Sequence, residues 1–199
     1  NMNNNLLIVG TGSYGVVAKE VAESMGCFGK IAFVDDNAAT TVLGDEVIGK
    51  VADLGQYFEE YNNIFVAIGN PEVKLQLLKT IEEETPFKIV VLVSPKSYVA
   101  SSAQIRKGSI VEPMAVVHSG CVICVGCIVS AGAVVNHFTM LCDGAHIDCN
   151  ATVSGNTFVP AGMKVKAGEV YRNESMRAED LFFNGDAWAE SLTKIGGKN

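Results

Sequence analysis

The sequence is short of what nucleic-acid and membrane proteins need. Lys and Arg number 15 against 22 Asp and Glu, which leaves a net charge of −7. Nucleic acid is held by a basic face that displaces counterions, so an acidic chain argues against that class of partner. No apolar run approaches the roughly 20 residues that span a bilayer, and no secretory signal is legible. Asn1, ahead of Met2, reads as a cloning remnant. Tryptophan occurs once and histidine three times. With 48% hydrophobic and 19% charged residues the chain is nevertheless globular rather than disordered. Nothing suggests an oxidising compartment, so the six cysteines are expected as free thiols in a cytoplasmic protein.

The first half alternates strand and helix patterns. Leu6 to Gly10 is a short apolar run ending at glycine, the pattern of a buried parallel strand. Gly10, Gly12 and Gly15 follow in GTGSYG, and Val16, Val17, Val21 and Met25 then recur at helical spacing. Ile31 to Asp36, Ile64 to Asn70 and Lys88 to Val93 read as further strands, and Pro71 to Glu84 as a helix opened by proline. Such alternation implies a parallel sheet with right-handed crossovers. A strand, a G-x-G-x-x-G turn and an acid about 20 residues on match a nucleotide-binding fingerprint, with Asp35 and Asp36 as the acids. Backbone N–H groups at such a turn face a pyrophosphate, and the acid accepts a ribose hydroxyl. The plain alternative is a tight turn with no ligand. This half is short for a complete dinucleotide domain, which favours a mononucleotide or nucleotide-sugar half-site.

The second half has a six-residue period. From Val99 to Val165 every sixth residue is Val, Ile or Leu, and the fifth position of each hexad is small until near the end. Gly108, Gly120, Gly126, Gly132, Gly144, Gly162 and Gly168 occupy the fourth position. Strand alternation turns positions five and one inward and position six outward, and glycine marks a sharp corner. Three hexads close one triangular 18-residue coil, and residues 99–170 stack four coils into a parallel β-helix.

This frame decides between readings of the rarer residues. Cys121, Cys124 and Cys127 suggest thiolate ligation by spacing alone, yet they fall on different parts of the prism, so no metal site is expected. Ile110, Val116, Val122, Ile128, Val134 and Met140 fill the outward column in succession. A monomer rarely exposes that much apolar surface, so the first domain and other chains are expected to cover it, in a homotrimer. His137 falls at a corner and His146 on the face of Ile110 and Ile128. Each reads plainly as a solvated surface histidine. For His146 that reading is weakened by its apolar column, which suggests an interface. A cleft between chains could bring His137 of one near His146 of another.

On these motifs (GTGSYG, FVDD, FVAIGN, the hexads and VVNHFTMLCDGAHIDCNATVSGN) the chain resembles the hexapeptide-repeat acyltransferases. It is most similar to the bacterial UDP-amino-sugar N-acetyltransferases of bacillosamine biosynthesis and the sialic acid O-acetyltransferases. The resemblance implies an α/β Rossmann-like nucleotide-sugar domain (1–94), a left-handed β-helix (95–172) and trimers. It implies acetyl-CoA between adjacent β-helices, His137 as general base, His146 as an acetyl-CoA contact and the Gly155 N–H on the thioester oxygen. Lys164, Lys166 and Arg172 are nearby candidates for CoA phosphates. The nucleotide of the acceptor falls to Gly10, Gly12, Ser13, Tyr14, Gly15, Asp35, Asp36, Gly69 and Asn70. Three departures stand out. Phe138 replaces the acid that follows the histidine in relatives, which leaves Asp143, Asp148 or a neighbouring chain to orient it. Ser13-Tyr14 replaces the usual glycine-histidine. The β-helix ends early, and residues 173–199 read as a helical cap with Leu181, Trp188, Leu192 and Ile195 on one face. The activity so implied is acetyl transfer from acetyl-CoA to an amino sugar, with no metal. The rivals are a sugar O-acetyltransferase and a non-catalytic sugar-nucleotide-binding protein; an NAD-linked enzyme would rest on the glycines alone.

Overall fold

The structure, a computed structural model, describes residues 3–37 and 41–173. The first domain runs β1 (Leu6–Val9), α1 (Ser13–Met25), β2 (Ile31–Val34), β3 (Thr41–Val42), β4 (Asp45–Gly49), β5 (Asn63–Val66), α2 (Pro71–Glu84) and β6 (Lys88–Ile89). Its sheet has the order β3-β4-β2-β1-β5-β6, parallel except for β3. Alternation explains why β1 is apolar throughout. Leu6 and Ile8 pack with Ala18 and Val21 of α1, whereas Leu7 and Val9 pack with Leu78 and Ile81 of α2. A strand covered on both faces has no solvent side to spend on polar residues. Strands β2 and β5 stop at Val34 and Val66, so the Asp35, Asp36, Gly69 and Asn70 ends of the expected strands are loops.

The run Lys88–Val93, expected as one strand, is divided between two sheets. Lys88–Ile89 pairs with β5, and Leu92–Val93 pairs with Ile110–Val111. Between them the Val90 N–H donates to Ile64 and its carbonyl accepts from Gly108, so one residue is bonded into both domains. Both sheets bury this stretch, which is why its apolar pattern shows no break at the crossing.

From Leu92 the chain winds as a left-handed parallel β-helix of two-residue strands. Its three parallel sheets begin at Leu92–Val93, Tyr98–Val99 and Gln104–Ile105. Register fixes the 18-residue coil: Ile110 pairs with Ile128, which pairs with His146. Inward first positions from Val111 to Val159 are 0% exposed. Cys121 and Cys127 stand in the small inward column, and burial raises both thiols. Every fourth position from Gly108 to Gly168 has a left-handed φ of 50–71°, and Met114, Phe138, Asn150 and Asn156 fill the four corners without glycine. Left-handed backbone costs an ordinary residue roughly 1–2 kcal/mol, and Asn carries it best.

The first domain covers one face of this prism. Outward Leu92, Ile110 and Ile128 are buried in a cluster with Leu6, Phe33 and Phe65. Helix α2 runs along the adjoining edge, with Leu78 resting on the Gly108 and Gly126 corners and Leu75 on Gly126 and Gly144. A Cβ at Gly126 would stand 3.1 Å from Leu78, so glycine there gives the helix room to dock. On the second face Val122 and Met140 are also buried. Val116 and Val134 remain half-buried on the third, with Tyr98 58% exposed beside them. The helical cap expected over 173–199 lies, apart from Asn173, outside the described residues.

Candidate active site

The carboxyl ends of β1, β2 and β5 bring the nucleotide candidates to one edge of the first domain, the place where open α/β sheets bind ligands. The three glycines have different jobs. Gly10 has φ +106°, and a Cβ there would lie 2.8 Å from the Ala67 carbonyl oxygen. A Cβ at Gly15 would strike the Gly10 carbonyl, so this glycine lets α1 close on the turn. Gly12 has nothing within 4 Å of such an atom, and neither has Gly69, so both backbones lie open to a ligand. Ser13 opens α1 and is exposed. Asp35 braces the turn. Its Oδ2 accepts from the Thr11 N–H at 2.9 Å and hydroxyl at 2.7 Å, and its Oδ1 accepts from the Asn37 N–H. The Asn37 and then the Thr11 bonds hold its pKa below the usual carboxylate value. Asp36 accepts from the Val51 N–H, and Asn70 caps α2 by accepting from Val73. A groove of about 640 Å³ opens beside them, lined by Asp36, Val51, Ile68, Val73, Gln76 and Leu77 among others. Tyr14, expected with the loop, departs from it. Its ring packs edge-on against Phe65 and its hydroxyl is buried in the junction between domains.

His137 stands exposed at a corner of the β-helix, immediately after Asn136. Asn136 Oδ1 accepts the His137 backbone N–H at 2.8 Å and lies 2.8 Å from Nδ1. An oxygen already accepting one N–H can meet Nδ1 only if Nδ1 also carries its proton. The neutral ring is therefore held as the tautomer whose Nε2 has a free lone pair, which a base requires. Neither Asp143 nor Asp148 orients this ring. Asp143 accepts from the Val125 N–H, and Asp148 pairs with Lys164. Asn136 was missed because it carries no charge and precedes the histidine. Its signal is a short amide one residue before a corner, able to fold back on the next backbone N–H.

Gly155 lies one coil above His137. A Cβ there would fall 2.6 Å from His137 Cε1 and 2.7 Å from Nε2, so the backbone of Gly155 forms one wall of the imidazole. His118 sits below, with its ring 6.3 Å from that of His137 and Tyr98 beyond it.

His146 occupies a different face, on the coil above Ile128. The Ile110–Ile128 column is thus covered within the chain by the first domain. His146 stands at the rim of that junction, with its side chain 22% exposed. Its Nε2 is 3.0 Å from the Ser130 hydroxyl and 3.8 Å from Asp148. Burial, aided by Lys164, pushes its pKa down to about 4, so the ring is neutral near pH 7. Lys164 pairs in register with His146 and binds Asp148 at 2.8 Å, which lowers the Asp148 pKa. Lys166 and Arg172 are exposed nearby in sequence. The chain therefore brings His137 to Gly155, and His146 to Lys164, on separate parts of the prism.

A histidine that is neutral when folded and charges more readily when unfolded makes stability depend on acid. The unfolded chain binds more protons between the folded value near 4 and the ordinary value of about 6.5. Stability is therefore full above about pH 6.5 and is lost as pH falls through that window, by about 1–2 kcal/mol after discounting for the solvent reaching a ring 22% exposed. Urea melts at pH 7 and pH 4.5 should show that His146→Gln loses less than the parent over the interval. The paired comparison matters because burial raises the Glu112 carboxyl, which acts in the opposite sense.

Residues 5–81 match the PglD N-terminal domain. The acetyltransferase domain of PglB from Neisseria gonorrhoeae, solved with acetyl coenzyme A, is 35% identical, with 86% of this chain and 83% of that one covered at a TM-score of 0.82. A mutant perosamine N-acetyltransferase from Caulobacter crescentus, solved with CoA and GDP-perosamine, shares the fold at 22% identity, covering 83% of this chain and 90% of that one at a TM-score of 0.62. WeeI from Acinetobacter baumannii shares it at 16% identity, covering 83% and 87%, with a TM-score of 0.54. Among curated proteins none matches.

Proposed function

Since the chain belongs to the hexapeptide-repeat sugar acetyltransferases typified by the PglB acetyltransferase domain, we propose that it moves acetyl from acetyl-CoA to the amine of a nucleotide-linked amino sugar. The observation that carries this reading is the His137 imidazole, fixed by Asn136 with Nε2 open at the β-helix edge. An attacking amine must lose a proton as it closes on the thioester carbon. Nε2 takes that proton, the tetrahedral intermediate collapses with cleavage of its C–S bond, and the imidazolium gives the proton to the departing sulfur, so that CoA leaves as the thiol. Such a base is typically worth about 10²–10⁴ in rate. The Gly155 N–H, beside the ring, supplies a fixed donor for the oxyanion, which a preorganised backbone stabilises without reorganising.

The other parts take supporting roles. Gly12, Ser13 and Gly69 offer open backbone to the acceptor's phosphates, and Asp36 faces the groove in which its nucleoside lies. Gly10, Gly15, Asp35 and Asn70 shape the loops around it. His146, neutral, contacts acetyl-CoA, while Lys166 and Lys164, the latter paired with Asp148, supply cations for the CoA phosphates. The third face of the prism, with half-buried Val116 and Val134, joins chains into a homotrimer whose clefts bring His137 of one chain toward His146 of the next. The setting is cytoplasmic, where acetyl-CoA is made, and the product feeds surface-glycan assembly.

The test mixes the protein with acetyl-CoA and a UDP-linked 4-amino sugar while free thiol is followed. Thiol release that requires both substrates, with one acetyl gained by the sugar in mass spectrometry, is the expected result. Release with hydroxy sugars alone points to the O-acetyl alternative, and none with any amino or hydroxy sugar points to a binding protein.

A further inference from the structure

Phe138 holds a conformation that its side chain does not favour. It fills the corner directly after His137 with φ +50°, a backbone that suits glycine and, after it, asparagine. The corners stacked with it are filled in that way, by Gly120 one coil below and Asn156 one coil above. Its ring is 45% exposed. A Cβ at Gly120 would strike that ring, so the glycine below gives it a seat against the corner. Neither the strain nor the exposed apolar surface serves the stack, which the inward residues carry. Strained residues of this kind gather at functional sites, and the inference runs from the strain to the function. Met114 shares the conformation at a different edge, between the Ile110 and Val116 strands, so strain alone does not single out Phe138. Its place beside the base does.

The borders of the His137 imidazole are few. Asn136 fixes Nδ1, and the Gly155 backbone forms one wall. The exposed His118 ring stands 6.3 Å away at 78°, and the Phe138 ring 6.1 Å away at 87°. An amine that gives its proton to Nε2 comes within about 2.6–3.2 Å of it. The carbon that bears the amine is one bond farther, so the sugar ring lies within reach of what borders the imidazole. Among these borders Phe138 is the apolar one. A hexose carries hydroxyls around its rim and C–H groups on its faces. Those faces lose their water at least cost against an aromatic ring, whose negative π face attracts the slightly positive C–H groups.

We propose that Phe138 is an acceptor-binding residue, whose ring takes a C–H face of the acceptor's sugar and so sets the amine on His137 Nε2. The proposal rests on the acetyltransferase reading for the reaction, but not for the place of the ring beside the imidazole. Asparagine in this corner would relieve the backbone and offer the sugar no face. The benefit falls on the acceptor and not on the donor, because His146 and Lys164 stand on another face of the prism.

The experiment compares the full chain with Phe138→Asn and Phe138→Tyr in steady-state kinetics, with acetyl-CoA and a UDP- or GDP-linked 4-amino sugar. Asparagine suits the corner and removes the ring, whereas tyrosine keeps the ring. Phe138→Asn is expected to raise the acceptor KM about tenfold and to leave the KM for acetyl-CoA within about twofold. Phe138→Tyr is expected to hold the acceptor KM within about threefold of the parent. An unchanged acceptor KM in Phe138→Asn, an equal rise for both substrates, or a tyrosine variant as weak as the asparagine one overturns the proposal. So does a smaller oligomer of Phe138→Asn in sedimentation, which would make the ring a seam between chains. No turnover by the parent with either sugar refutes the acetyltransferase reading instead. Saturation-transfer NMR then decides the ring contact alone, on protein that carries protons only on its Phe rings. Transfer to the sugar C–H protons of the UDP-linked amino sugar that is lost in Phe138→Asn supports the contact; no transfer, or transfer that survives, refutes it. Phe138→Leu replaces Phe138→Asn should that variant not fold.

Discussion

His137→Ala is expected to lower kcat by about 10²–10⁴ while leaving the fold intact. The two halves of that expectation have separate causes. On the proposed mechanism, loss of the imidazole removes the group that takes the amine proton. The β-helix does not need the ring, which is exposed at a corner, whereas the stacking is carried by inward residues such as Val135 and Leu141 at 0% exposure. A thermal melt within a degree or two of the parent, together with the rate loss, distinguishes a missing base from a damaged scaffold. Retained turnover removes the base assignment.

Gly155→Ala should be nearly as damaging although it adds one methyl group. That methyl falls 2.6 Å from His137 Cε1 and 2.7 Å from Nε2, closer than non-bonded atoms approach. The backbone can accept alanine, because Gly155 is not among the left-handed glycines. The imidazole must therefore yield, and it can, since it is an exposed side chain. Turning the ring breaks the contact with Asn136 and carries Nε2 off line. A misplacement of about 1 Å in a reacting group can cost around 10²-fold, the loss in kcat/KM expected here. Binding of CoA and of the nucleotide, measured separately, should change little. Gly132→Ala makes a useful contrast, since this glycine sits at a left-handed corner with φ +69°. Its cost falls on stability, not on the imidazole.

Much of this architecture is written in the sequence at different strengths. The six-residue period is read without ambiguity because each hexad repeats the same three demands: an inward aliphatic, a small neighbour and a corner. The structure extends it one rung earlier, to Leu92–Val93. That rung hides in a longer apolar run, because a strand buried in a Rossmann sheet and one buried in a β-helix look alike in composition. The hairpin of β3 and β4 turns through Leu43 and Gly44, both left-handed. Only the glycine signals it, and a leucine in that conformation does not.

The site was legible where chemistry shows in residue type and hidden where it depends on contact. Among the three histidines of an aliphatic repeat, His137 and His146 stand out. The sequence places them at a corner and on a face, but not what lies against them. That His146 meets Ser130 follows from an 18-residue stack placing residue 130 below 148, next to the histidine's own strand. Such a contact needs the exact rung geometry. Tyr14 was misplaced for a related reason. The fingerprint marks a loop by its glycines, but the residue just before the third can turn to solvent or to the core, and the second domain, packed against α1, gives Tyr14 a core to turn to.

A crystal structure of the protein with CoA and the nucleotide-linked amino sugar tests the central claim most directly. It should place the CoA thiol in a groove between two chains, with the sugar amine within about 2.6–3.2 Å of His137 Nε2 or one water away. CoA bound far from His137, or an amine out of reach of that nitrogen in every copy, would contradict the account.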